Sequence, residues 1–202
     1  MKVIKCIGFF VMRLILFSGC QTNGSDKIEV KMKSDEDLKE IADTYTYEDY
    51  EKVFEKAVSD ADELEADGSL NKWLIRILAE EQLSYESDLT DDQVIKLAER
   101  ALKEDEVWKS IAKEKYGVTV TEEEVDQYIK EGPDTFELPQ MQAYAAALGL
   151  SLEELNHEFD RDIYEKNAIW LKLKPELEKE YGLIDNNKQV EKYQEEVDKG
   201  VY

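Results

Sequence analysis

The residues able to do chemistry in this chain are few. His157 is its single histidine, and it stands three positions after Glu154 on a stretch with helical spacing. A lone helical histidine is far more often a surface or packing residue than a general base. The two cysteines, Cys6 and Cys20, both precede the segment with core-forming periodicity, so no disulfide framework is available to it. Carboxylates are abundant. Glu122, Glu123 and Glu124 are consecutive, and Asp160 and Asp162 are two apart. Exposed helix carboxylates account for such runs. Glu158, Asp162 and Glu165 would repel one another along one face and could mark a weak cation site. Asp60, Asp62, Asp67 and Gly68 suggest a calcium loop, but an EF-hand needs alternating oxygen ligands, then Gly at position 6 and Glu at position 12. Here the acids fall on a helical stretch and the glycine comes too late. No Gly-rich phosphate loop and no histidine-containing metal spacing occurs. The reading is a non-enzyme with no catalytic residues, no metal and no cofactor.

The elements around these residues are charged and periodic. The 202 residues carry a formal net charge of −22 at pH 7. Such a surface is repelled by phosphate backbones, which argues against nucleic acid as a partner. It suits a solvated, aggregation-resistant body, or attraction of cationic polypeptides.

At the N-terminus, Lys2 and Lys5 precede an apolar run from Cys6 to Phe17 that Arg13 interrupts. The run is short for a bilayer span, which takes roughly 20 apolar residues. A basic start, a short apolar run and small residues before a cysteine make an export signal. Leu16-Phe17-Ser18-Gly19-Cys20 resembles the lipobox of bacterial lipoproteins. The resemblance implies diacylglyceryl transfer to the Cys20 thiol, cleavage before it, and a lipid anchor on the extracytoplasmic face of the cell membrane. Phe17 stands where leucine is commonest. The polar stretch from Gln21 to about Lys33 then reads as a flexible tether. Ile28, Val30 and Met32 alternate like a strand but have no evident partner, so they are assigned to coil.

The rest reads as all-α. Ser34 with Asp37, Thr46 with Asp49, Thr90 with Gln93, Thr121 with Glu124, and Ser151 with Glu154 are helix starts in which a hydroxyl is followed three residues later by an acid or Gln. Tyr47, Tyr50, Val53, Phe54, Ala57, Val58, Ala61 and Leu64 share one face of a helix that Gly68 is expected to end. Leu70, Trp73, Leu74, Ile77, Leu78 and Leu83 make the most apolar helix, placed in the core. A long helix follows Thr90 and stops at Gly117. A shorter one follows Thr121, and Gly132-Pro133 ends it. A loop containing Phe136 and Leu138 leads to Pro139, suited to the first turn of a helix. Another long helix follows Ser151, kinked or restarted at Pro175 and ending at Gly182. Beyond it, Val190, Tyr193 and Val197 are the only anchors of a polar helical tail.

Two segments together resemble a known family. One runs from Ala98-Glu99-Arg100-Ala101-Leu102 through Trp108 to Tyr116-Gly117-Val118-Thr119-Val120-Thr121-Glu122-Glu123-Glu124-Val125-Asp126. The other is Ala147-Leu148-Gly149-Leu150-Ser151-Leu152-Glu153-Glu154-Leu155. Their order is similar to that of the N-terminal chaperone domain of SurA and PrsA-type secretion foldases, over under half of the chain. The resemblance implies a helical cradle that binds unfolded or exported proteins. Many members carry a parvulin prolyl-isomerase domain. The residues after Gly182 are few and lack a strand pattern, so isomerase activity is not expected.

The domains expected are a lipoprotein signal at 1–19, the acylated Cys20 and tether at 20–33, a helical chaperone-like domain at 34–182 and a polar helical tail at 183–202. The first functional expectation is a lipid-anchored chaperone-like protein. It would hold clients in a shallow apolar groove between the two long helices and segment 136–148, through Phe136, Leu138, Met141, Tyr144 and Trp170. The other is an acidic helical lipoprotein that binds one dedicated partner of the cell envelope or spore.

Overall fold

The computed structural model describes residues 28–66 and 68–201. The expected signal peptide and the expected acylation residue Cys20 therefore lie outside the described residues. Among the described residues the chain is all-α, with α1 (Asp35–Thr44), α2 (Tyr47–Glu63), α3 (Gly68–Ser84), α4 (Asp91–Glu114), α5 (Glu122–Glu131), α6 (Pro139–Ala147), the single turn α7 (Leu152–Glu154), α8 (Arg161–Tyr181) and α9 (Asn186–Val201). A 3-10 turn, Pro133–Thr135, follows α5, and a π-helical turn, Leu155–Phe159, follows α7.

Local chemistry sets most of the starts. Ser34, Thr46, Thr121 and Ser151 each accept the N3 amide, and the N3 carboxylate accepts the cap amide in return. Gln93 does the same for Thr90. These reciprocal bonds satisfy amides that a helix start otherwise leaves open. Gly117 ends α4 in the left-handed region at φ 66°, and Val118 N–H reaches back to the Ala112 carbonyl at 2.9 Å. The end of α2 differs from expectation. The helix stops at Glu63, Glu65 takes the left-handed conformation, and Gly68 opens α3 instead.

Two cores form. In the first, α3 is buried all round from Trp73 to Ala79. It packs with Tyr50 and Phe54 of α2, Val94 and Leu97 of α4, Tyr144 of α6, and Leu155. In the second, Trp108 and Ala112 of α4 meet Ile169, Leu173 and Leu177 of α8 and Tyr193, Val197 and Val201 of α9. Helix α4 is thus the common strut, its N-terminal half in one core and its C-terminal half in the other. Between them its polar stretch is tied across to α8: Asp105 pairs with Lys109 at 3.0 Å and with Lys166 at 3.3 Å, and Lys109 pairs with Glu165 at 2.9 Å.

Three expectations change. The residues beyond Gly182 are no polar appendage, because α9 closes the second core. Tyr193 is almost fully buried there and its hydroxyl donates to the Trp108 carbonyl at 2.7 Å. Residues 28–33 are not free tether. Met32 bridges Tyr85 antiparallel, Lys33 N–H donates to the Ser84 carbonyl at 2.8 Å, and Ile28 and Val30 pack against the first core. Pro175 does not restart α8, which runs through it with Leu173 and Leu177 buried on either side. The break comes earlier, at Asp160, where the π-helical turn ends with Asp160 N–H bonded to the Leu155 carbonyl at 2.8 Å.

Candidate functional site

The five residues expected to contact a client do not assemble into one groove. Tyr144 is buried in the first core, stacked on Phe54 with ring centroids 4.5 Å apart. Met141 packs against the same core. Trp170 packs against the second core, 6.5 Å from the Trp108 ring and 6.2 Å from Tyr193, and its indole N–H donates to Asn186 Oδ1 at 3.4 Å. Only Phe136 and Leu138 present themselves to solvent, at 55% and 46% exposure. Both sit on the short loop between α5 and α6, where Pro133 opens a 3-10 turn and Pro139 opens α6.

That loop is built rather than loose. Thr135 N–H and Oγ1–H both donate to the Gly132 carbonyl, at 2.9 and 2.6 Å, and Phe136 N–H donates to the Pro133 carbonyl at 3.1 Å. Asp134 reaches the π-helical turn. Its Oδ1 accepts from the buried Asn156 amide at 2.9 Å, and its Oδ2 lies 2.9 Å from His157 Nε2. Asn156 Oδ1 in turn accepts from Tyr164 hydroxyl at 3.0 Å. Burial would raise the Asp134 carboxyl, but the bonds from His157 and Asn156 hold it below the usual carboxylate range. His157, expected to be a surface or packing residue rather than a base, helps fix the loop that carries the apolar pair.

The π-helical turn is itself anchored from α3. Arg76 is buried, and its guanidinium donates to Asp160 at 2.9 Å, to Asp162 at 2.7 and 2.9 Å, and to the Phe159 carbonyl at 3.2 Å. It also lies over the rings of Trp73 and Phe159, at 4.9 and 5.6 Å. Lys72 adds a second cation 3.2 Å from Asp162. Burial opposes ionisation of Asp162, but Arg76 and Lys72 overcome it and hold the carboxyl far below its ordinary value. Burial wins at Asp160, which is pushed up despite Arg76. The Asp160 and Asp162 pair is thus neither exposed nor a cation site, and Glu165 is matched by Lys109.

Sequence reasoning passed over Arg76. Its signal was present: one cation inside an otherwise apolar stretch from Trp73 to Ala79 must be buried with carboxylate partners.

A second polar cluster rims a shallow pocket of about 410 Å³ between the ends of α4, α8 and α9, lined among others by Ile111, Lys115, Tyr181, Lys192 and Glu196. Lys115 Nζ is surrounded by the hydroxyls of Tyr116 and Tyr181, at 3.0 and 2.8 Å, and by Glu196 and Glu180, at 2.9 and 3.1 Å. Desolvation opposes the charged form, but these partners hold the ammonium pKa well above its usual value. Among the described residues no group of three or more His, Cys, Asp and Glu could hold a metal ion. None of their helices is long and apolar enough to cross a membrane.

Among the described residues the fold is all-α, with two cores and a small, fixed apolar loop on an acidic body. No family model, no curated protein and no solved structure matches the chain.

Proposed function

We propose that this chain is a lipid-anchored, extracytoplasmic protein-binding module that engages one dedicated envelope partner through Phe136 and Leu138. One observation carries the reading: two exposed apolar side chains on a loop whose backbone is held by Asp134. Ordering a flexible contact loop costs entropy on binding, and a loop already fixed avoids most of that cost. The anchor rests on the Leu16-Phe17-Ser18-Gly19-Cys20 sequence, with Cys20 as the acylated residue. Two acyl chains on one cysteine hold a protein stably at a membrane, where a single chain is marginal.

A second reading, the chaperone-like holding of unfolded or exported polypeptides without isomerase activity, draws support from Leu171 and Ile184. They are exposed apolar residues outside the loop, on α8 and on the α8–α9 connection. The order of capped helices similar to SurA and PrsA-type foldases favours it as well.

A photo-crosslinking residue in place of Glu137 separates the two in cells. One discrete adduct, abolished by F136S/L138S, supports a dedicated partner. A spread of unrelated adducts, together with slowed aggregation of two unfolded test proteins at moderate salt, supports holding. No adduct with a correctly folded, membrane-localised chain removes the dedicated-partner reading, and unchanged aggregation of both test proteins removes holding.

A further inference from the structure

Among the described residues, the loop that presents Phe136 and Leu138 is hydrogen-bonded to the rest of the body through one side chain, Asp134, and one of its two partners is the only histidine in the sequence. The other tie, Asn156, is a neutral amide, nearly fully buried and backed by Tyr164. Asn156 does not titrate. Histidine is the side chain whose charge ordinarily changes between pH 5 and 8. The two ties sit side by side on the π-helical turn, an irregularity that occurs frequently at functional sites.

Charge around His157 comes from each element packed against it. The loop contributes Asp134, 2.9 Å from Nε2, and α5 contributes Asp126, 4.0 Å from Nδ1. Lys130 of α5 acts on Asp134 from nearby, and Glu158 follows His157 on its own turn. Arg161 of α8 pairs with Asp126 at 2.5 Å and with Glu122 at 2.6 Å, so part of the Asp126 charge is already matched. The phenols of Tyr128 and Tyr164 face each other across α5 and α8, 6.4 Å apart between ring centroids. A protonated imidazole donates from both nitrogens, one toward each carboxylate. A neutral imidazole donates from one and carries no charge. His157 is about a quarter exposed, at 27%, so its proton exchanges with solvent without opening the fold.

We propose that the protonation state of His157 regulates the apolar loop, clasping it through Asp134 when the imidazole is charged and loosening it when the imidazole is neutral. This rests on the loop being the contact surface proposed above. Asn156 keeps its bond in either state, so the loop loosens without detaching. The effect on the loop is that of one partly exposed ion pair, about threefold in local opening.

The test is a pH titration of the full chain by NMR, with amide exchange measured at pH 5.5 and pH 8 and corrected for intrinsic exchange rates. The Thr135 and Phe136 amides are expected to shift with the same midpoint as the His157 ring. Their exchange should be about threefold faster at pH 8. H157Q retains a side-chain donor but no titrating charge, so its loop amides should stop moving over this range and exchange alike at both pH values. D134N should exchange fast at both. Loop amides that ignore the His157 midpoint, or an H157Q chain that titrates like the parent, would overturn the clasp. These readouts need no partner. A working clasp with no crosslink at position 137 would sink the binding reading and leave the switch standing, while a crosslink without titration would do the reverse.

Discussion

The two cores solve the problem of charge in opposite ways. The first places a cation inside: Arg76 is buried among aromatic rings, with Asp160 and Asp162 brought from more than 80 positions further along the chain. The second keeps its cations on the rim. Lys115 and Lys192 lie over the faces of Tyr116 and Tyr181, and Lys115 is 41% exposed. A buried ion cannot fall back on water if a partner is removed, whereas a rim ion can. The inner cluster therefore fixes geometry, joining α3 to the turn that holds Asp134 of the apolar loop. The outer cluster is expected to tolerate change with less consequence for the fold.

The sharpest way to break that contrast is to remove one cation from each core. Arg76→Leu strands Asp160 and Asp162 without their main partner, and should cost about 3–5 kcal/mol in the first core. Lys115→Met should cost under about 1 kcal/mol, because its partners regain water. Trp73 reports the first core, and Trp108 and Trp170 the second. Urea unfolding in W108F/W170F and in W73F backgrounds separates the two signals. Equal losses would mean that burial does not distinguish the clusters.

Acid should separate the cores next. The folded Asp162 carboxyl lies below its unfolded value, so the stability it contributes is present above roughly pH 4 and is lost as pH falls through the unfolded value toward the folded one. Asp160 works in the opposite direction: its folded value is raised, so the burden of its buried charge is relieved on acidification. Asp162 has two cations against it and sets the limit. The urea midpoint of the Trp73 signal should fall between pH 5.5 and 2.5. In D162N it should start lower and change less. The rim carboxylate Glu196 is also held low, with burial opposing and Tyr181, Lys115 and Tyr116 prevailing. It is expected to contribute a smaller fall to the second core. A D162N chain with the full acid dependence would remove Asp162 from the explanation.

Where the sequence could be read, the information was local. Ser34, Thr46, Thr90, Thr121 and Ser151 announce helix starts through partners three residues away, and the periodic faces of α2 and α4 identify much of what they bury. Distant pairings were not legible. Nothing near Asp160 says that Arg76 will neutralise it, and nothing near Asp134 points to His157, 23 positions on. The α9 sequence looks polar because its few apolar anchors are spaced widely, yet Tyr193, Val197 and Val201 lie four apart and fall on one stripe. Of the expected contact residues, Tyr144 and Trp170 follow the ordinary fate of aromatics on helix faces, which is burial. Phe136 and Leu138 escape it because the 3-10 turn carries them outside either core.

The smallest expected effect concerns how α9 reaches α4. A Cβ built on Gly200 would lie 2.7 Å from Val107 Cγ1, nearer than side chains tolerate. Valine is stiff about χ1, so it cannot swing aside cheaply. Gly200→Ala should therefore cost about 1 kcal/mol in the second core, at the low end for overpacking. The gain in helix propensity that alanine usually brings offsets little of it, because Gly200 is the penultimate residue of α9, where helices fray. Val107→Ala opens the space and should absorb the added methyl, so the double variant should lose less than the two single losses combined. Full additivity in that cycle, read from the Trp108 and Trp170 signal, would mean that α9 is seated by Tyr193 and Val197 alone. The second core would then depend on its aromatic packing as heavily as the first depends on its buried arginine.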